Sequence, residues 1–206
     1  MSQPILTIVA GCNGSGKSTF SKDIVSANLT PFDYDKRFRG NYASLIDSEF
    51  REEMAKNQTT QEFESSIHGA FSSGDDFCYE TNFDSHPIFW AEIAKQHGYL
   101  VHLRFFCLDT LELANERVKS RHRMNGHFIP ENIVFYKWKA GYKNLNIHYS
   151  FFDDIILFDN SSSDEPLRAL FSLQKEKEGF NVYQYNLLPE YAQRRFPDIC
   201  RLINLK

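Results

Sequence analysis

The 206-residue chain carries a net charge of -4 with a pI of about 6.0, so no global field draws it to nucleic acid or to an anionic membrane. Its 19 Phe and 10 Tyr supply a large apolar core, which excludes an intrinsically disordered chain. The length points to one domain over residues 1–206, with 163–206 an appendage packed on it.

The first strand signal is Ile5-Leu-Thr-Ile-Val-Ala10, apolar and β-branched. It runs straight into Gly11-Cys-Asn-Gly-Ser-Gly-Lys-Ser18, which fits the phosphate-binding loop pattern of glycine, four free positions, glycine, lysine and a hydroxyl. Glycines at 11, 14 and 16 let backbone N–H groups crowd round a phosphate, with Asn13, Ser15 and Thr19 completing the loop and the start of its helix. Lys17 is then placed for the β- and γ-phosphates and Ser18 for Mg²⁺. Thr19 to Ala27 reads as the helix whose positive end faces the anion, so ATP or GTP with Mg²⁺ is the expected cofactor set.

Further along, Pro31-Phe-Asp-Tyr-Asp35 reads as a short strand ending in two acids, followed by a basic turn over 36–40. Apolar residues at helical spacing over 43–56 and 63–71 predict two helices broken near Asn57-Gln-Thr-Thr60. Phe77 to Phe83 reads as a strand with a polar end, Pro87 opens a helix closed by Gly98, and Tyr99 to Leu108 is the longest β-like run and so a central strand. Thr110 to Arg123 reads as a helix, a loop spans 124–129, and Pro130-Glu131 opens another helix. Ile155 to Phe158 is a strand; in the tail, 164–178 reads as helical, 181–185 as an edge strand and 188–204 as a docking helix. The alternation of strands and helices predicts an α/β, three-layer P-loop NTPase or kinase fold, with a mostly parallel sheet of about five strands.

Ligands of such sheets sit at the carboxyl ends of the strands, where Asp33, Asp35, the run Glu80-Thr81-Asn82 and Asn160 fall. Asp35 is the candidate base for an acceptor hydroxyl, while Asp33 reads as an ordinary turn acid. Glu80 is a carboxylate inside an apolar run that demands a partner or ligand. Arg117 and Arg121 share a helix face, and with Arg123 and the lower-ranked His127 they suggest a basic lid over the transferring phosphoryl group. A run of four apolar residues ending in Asp beside the loop is missing, with Phe77-Cys-Tyr-Glu80 the nearest substitute; this favours a small-molecule kinase over a mechanical ATPase. The four cysteines form no Cys-x-x-Cys pair and read as buried hydrophobes in a reducing compartment. No apolar run approaches the roughly 18 residues of a spanning helix, and the strand at Ile5 leaves no room for a leader, so a cytoplasmic protein is expected.

Taken in order, Gly11 to Thr19, Phe-Asp-Tyr-Asp35, Phe77 to Phe83, Glu116-Arg-Val118, Gly126 to Glu131, Asn144 to Tyr149 and Phe158-Asp-Asn-Ser161 resemble the zeta toxins, P-loop kinases of UDP-N-acetylglucosamine and related UDP-sugars. The resemblance spans roughly Ile5 to Ser162 and implies Asp35 as catalytic base, with Lys17 and Ser18 on phosphate and metal. It implies Glu80, Thr81 and Asn82 in the sugar-nucleotide pocket, Arg117 facing phosphate, and Arg121, Arg123 or His127 as lid contacts. It also implies a small helical antitoxin as partner. A kinase of another metabolite, nucleotide or antibiotic, and a non-catalytic nucleotide-binding module, are the alternative readings.

Overall fold

The computed structural model describes residues 3–26, 28–123, 129–162 and 165–204. Six strands form one sheet in the order β2-β1-β3-β4-β5-β6, one more than the sequence suggests. β1 (Ile5–Ala10), β2 (Phe77–Thr81), β3 (Leu100–Cys107) and β4 (Asp154–Asp159) run parallel, and β3 is central as expected. β5 (Arg168–Lys175) pairs antiparallel with β4, and β6 (Phe180–Gln184) antiparallel with β5. Along β3 the side chains alternate: Val101, Leu103, Phe105 and Cys107 enter one buried cluster while Phe106 enters another.

Helices cover both faces. On one, α1 (Lys17–Ile24) lays Phe20 and Ile24 against Val9, Cys78, Phe106 and Phe158. On the other, α3 (Arg51–Ser73), α4 (Phe89–Gln96) and α6 (Glu131–His148) bury Ile67, Phe71, Ala91, Ala94, Tyr142 and Leu145. α5 (Leu111–Arg123) packs through Ala114 and Val118 with Leu108 and Val134. The 3-10 turn at Tyr149–Phe151 leads into β4.

Several local expectations are corrected. Residues 31–35 are not a strand: Phe32 makes a single bridge to Tyr79, and Asp33 then caps α2 (Tyr34–Ser44) by accepting from Lys36 N at 2.9 Å. The expected turn over 36–40 therefore lies inside α2. The break expected at 57–60 falls instead at 45–50, and α3 runs unbroken through Thr59, whose hydroxyl donates to Ala55 O at 2.7 Å and accepts from Asn41 Nδ2 at 3.0 Å. In the tail, the segment read as helical contains β5, whose buried run Leu170 to Leu173 is dictated by pairing with β4. The docking helix is two, α7 (Glu190–Arg195) and α8 (Pro197–Asn204), separated at Phe196 where Pro197 removes a backbone donor. The edge strand expected at 181–185 is β6.

Candidate active site

β1 delivers the chain into the glycine loop, and the geometry there leaves no room for side chains. A Cβ on Gly14 would stand 2.7 Å from Ala114 O, and one on Gly11 2.6 Å from Phe106 O. Gly14 and Gly16 also hold φ of 82° and 98°, which L side chains rarely adopt. Gly16 is the residue before α1 and no side chain caps that helix, so its first amides point into the loop. Asn13 Oδ1 and Ser15 Oγ are buried there without a partner.

Lys17 Nζ lies within this cradle, donating to Gly11 O at 2.6 Å, Cys12 O at 3.1 Å and Asn82 Oδ1 at 3.3 Å. Burial pulls its pKa below the ordinary lysine value, while the charges of Glu80 and Asp35 act in the opposite sense. Burial likewise lifts the Cys12 thiol to about 11, so it stays protonated beside the loop at neutral pH.

β2 lies next to β1 and carries Glu80 to the base of the loop. Its carboxylate accepts from Ser18 Oγ at 2.7 Å and from Ser21 Oγ at 2.8 Å. Burial raises the Glu80 pKa and those two hydroxyls partly offset the rise. The structure thus ties Glu80 to the start of α1 through Ser18 and Ser21. Thr81 Oγ1 accepts from Phe83 N at 3.1 Å, in a turn where Phe83 holds φ of 61°. After β4, Asn160 Nδ2 donates to Ser15 O at 2.9 Å and closes on Gly16, fastening the loop from the far side.

One cavity of about 980 Å³ joins these parts. It is lined by Asn13, Gly14, Gly16 to Thr19, Asp35, Glu80, Thr81, Asn82, Arg117, Arg121 and Asn160. Asp35 is exposed on the first turn of α2, within the cleft rather than at a strand end. Arg117 stands beside Gly14, its Cβ 3.4 Å from where a Gly14 Cβ would lie, and Arg121 Nε is buried without a partner. Arg123 is not brought to the cleft; it lines a separate small cavity with Asn115, His122 and Glu131, because its place near the end of α5 turns it away from Arg117. His127 and the loop around it lie outside the described residues.

Sequence reasoning missed other lining residues. Glu64 and Thr60 on α3, Asp84, Trp90 on α4 and Lys137 on α6 all face the cavity. It also missed the tail's part in the site. Asp159, buried at the end of β4, accepts from Tyr191 Oη at 2.7 Å and from Arg168 at 2.6 Å. Burial pushes its pKa up, but hydrogen bonds from Ser161, Tyr191 and Arg168 outweigh this and hold it below the ordinary value. Arg195 donates to Leu108 O at 2.7 Å and to Asp109 O, while lying over the rings of Trp138, Tyr142 and Tyr191. The tail therefore grips both the β3–α5 turn and the residue preceding Asn160.

The sheet order, glycine loop and converging cations define a P-loop kinase fold. The zeta toxin family model matches residues 1–164, and the chain belongs to that family. An uncharacterized protein of Haemophilus influenzae is 30% identical over 132 residues, covering 62% of this chain and 88% of its own. A chain from the PezAT chromosomal toxin–antitoxin system of Streptococcus pneumoniae shares the fold with a TM-score of 0.62 at 17% identity, covering 100% of this chain and 88% of that one. The AvrRxo1-ORF1:-ORF2 structure with ATP gives a TM-score of 0.62 at 16% identity over 87% of this chain; the match spans 60% of the other chain. Membership of this family marks the protein as a phosphotransferase. No helix among the described residues is long and apolar enough to cross a membrane.

Proposed function

We propose that this protein transfers the γ-phosphoryl group of ATP or GTP to a hydroxyl of a small-molecule acceptor. The observation that carries the proposal is the single cleft shared by the glycine loop, Asp35 and the α5 arginines. The acceptor oxygen bonds to the γ-phosphorus as the bond from that phosphorus to the β–γ bridging oxygen breaks. The hydroxyl proton passes to the Asp35 carboxylate, and the nucleoside diphosphate leaves. Asp35 works mainly by orienting the nucleophile, since phosphoryl transfer is largely positioning and charge neutralisation. Lys17, Arg117 and Arg121 meet the charge spread over the equatorial oxygens, and Asn160 keeps the loop in shape.

The hydroxyl and carboxylate oxygens of Ser18 and Glu80 are hard donors suited to Mg²⁺. When bound, that ion neutralises phosphate charge; Ser18 would hold it, with Glu80 behind. The acceptor that the family suggests is a UDP-sugar such as UDP-N-acetylglucosamine, with Thr81 and Asn82 beside it. By the same analogy, the enzyme acts in the cytoplasm as a single domain with an appended tail, restrained by an antitoxin.

Incubation with ATP, Mg²⁺ and an acceptor panel that includes UDP-N-acetylglucosamine, read by mass spectrometry, tests the transfer. Asp35→Asn is expected to bind nucleotide yet lose at least about 100-fold in turnover, whereas Lys17→Ala loses both. Full turnover by Asp35→Asn would remove the base from the mechanism and favour a nucleotide-binding module.

A further inference from the structure

Between β2 and α4 the chain crosses the wall of the cavity in one tight turn. Thr81, Asn82, Asp84, Ser85, His86 and Pro87 all line the cavity. Phe83 alone turns away: it is fully buried, its ring 6.1 Å from that of Phe105 and 6.0 Å from that of Phe152. The backbone makes this reversal by entering the left-handed region at Phe83, with φ of 61°, and again at His86, with φ of 46°. These are the two non-glycine residues with positive φ among the described residues. Histidine tolerates that region, but a bulky phenylalanine rarely adopts it, and such backbone lasts only where its surroundings hold it.

The middle of α6 supplies the hold. Asn144 Nδ2 donates to Phe83 O at 2.9 Å and to Asp84 O at 2.6 Å. A carboxamide suits this place because one nitrogen carries two N–H groups for two consecutive carbonyls, which neither a carboxylate nor a hydroxyl can supply. Gly141 lies on the same face of α6, three residues earlier. A Cβ there would stand 3.0 Å from Asn82 O, so the turn would have to give by a few tenths of an ångström. Neither Gly141 nor Asn144 lines the cavity. The residue they press and flank does: Asn82 Oδ1 accepts from Lys17 Nζ at 3.3 Å. Contacts thus run unbroken from α6 through the turn to the lysine of the glycine loop.

We infer that Asn144, with Gly141 beside it, is a positioning residue of the transfer: it holds the strained turn that sets Asn82 against Lys17 and presents Thr81, Asp84 and His86 to the cavity. This rests on the kinase reading and adds to it the part played by α6. Every step of the transfer stays as described, and Asn144 touches none of the reacting atoms.

The full chain, with Mg²⁺ and ATP, is assayed against the acceptor panel that includes UDP-N-acetylglucosamine, and the acceptor that the parent turns over fastest is used for the variants. Calorimetry with a non-hydrolysable ATP analogue gives nucleotide affinity, and melting curves give stability. A misplacement of about 1 Å costs about 100-fold in rate, so the few tenths forced by Gly141→Ala should lower kcat about tenfold. The analogue should still bind that variant within about threefold of the parent, since Lys17 keeps Gly11 O and Cys12 O. Its Tm should fall by no more than about 2 °C, because alanine is the better helix former. Asn144→Ala should lower kcat at least about 30-fold. Asn144→Asp should lower it further, because a carboxylate would face two carbonyl oxygens; a side chain that merely filled space would give the reverse order. Both alanine changes act through one turn, so together they should cost less than the product of their separate losses.

A kcat for Asn144→Ala within about threefold of the parent overturns the inference, as do losses that multiply or an Asn144→Asp variant more active than Asn144→Ala. Should Asn144→Ala melt below the assay temperature, Gly141→Ala, which removes no hydrogen bond, decides alone. Should the parent bind no analogue or phosphorylate nothing on the panel, the kinase reading fails and Asn144 has no transfer to position; an active parent with equally active variants sinks the inference alone.

Discussion

Replacing Arg195 with alanine tests whether the tail is part of the phosphate site or merely lies against it. The guanidinium donates to Leu108 O at 2.7 Å and to Asp109 O, in the turn that launches α5. It also lies 4.1, 4.8 and 5.1 Å from the ring centres of Trp138, Tyr142 and Tyr191. Charge-assisted hydrogen bonds contribute about 1.5 kcal/mol each at the low end of their range and partly exposed ring contacts about 0.5 kcal/mol each. Two facts lower the sum: Leu108 O keeps a second donor in Tyr142 Oη at 2.8 Å, and the Asp109 contact is exposed, so water replaces it. A net loss of about 2–3 kcal/mol remains, which for a chain of this size lowers Tm by about 4–12 °C. Scanning calorimetry measures that, and nucleotide titration well below the transition measures whether Arg117 has moved. Arg195→Lys should recover less than half, because one ammonium cannot fork to two carbonyls. A Tm within about 1 °C of the parent, the scale of an ordinary surface change, would refute the reasoning, as would full recovery by lysine.

Three other outcomes are expected. Gly14→Ala forces a Cβ against the Ala114 carbonyl at 2.7 Å and a residue with side chain into φ of 82°; unfolding free energy should fall by about 2–4 kcal/mol, and nucleotide affinity should drop in calorimetry. Glu80→Gln removes a buried charge whose pKa is raised on folding. Between the unfolded and the folded pKa the native state binds the extra proton, so this group lowers stability as pH rises. The variant should therefore melt no lower than the parent at neutral pH while Mg²⁺-dependent turnover collapses. Asp159 has the opposite sign: its depressed pKa gives stability present above the ordinary carboxylate range and lost as pH falls through the folded value. Tyr191→Phe removes one of its donors, so the acid limb of a stability profile should move to higher pH.

The glycine loop was legible because strand, turn and helix are local in sequence and each glycine answers a steric demand seen in the fold. Asp35 reached the cleft although the strand expected there is a capped helix, since Asp33 as cap and Asp35 in the first turn still bring the carboxylate to the cavity. β5 was illegible for a nonlocal reason. Its spacing of leucines and phenylalanine suits either a helix or a buried strand, and only the open edge of β4 decides. Glu64 and Asp84 were hidden likewise: nothing in a helix face or a turn says that it closes on a cleft formed by segments far away in the chain. Glu80 was singled out as a carboxylate in need of a partner, but the partners, Ser18 and Ser21, came only with the pairing of β1 and β2.

The placement of Tyr191 and Arg195 bears on how the protein is made. Chains emerge from the ribosome amino end first, so the glycine loop exists long before the two residues that brace its surroundings. A nascent polypeptide holding everything through residue 164 already has Lys17 and Asp35, yet the turn that launches α5 lacks its Arg195 contacts and β4 ends in an open edge. The surroundings of the glycine loop thus gain their full bracing only once the chain through Arg195 has been made.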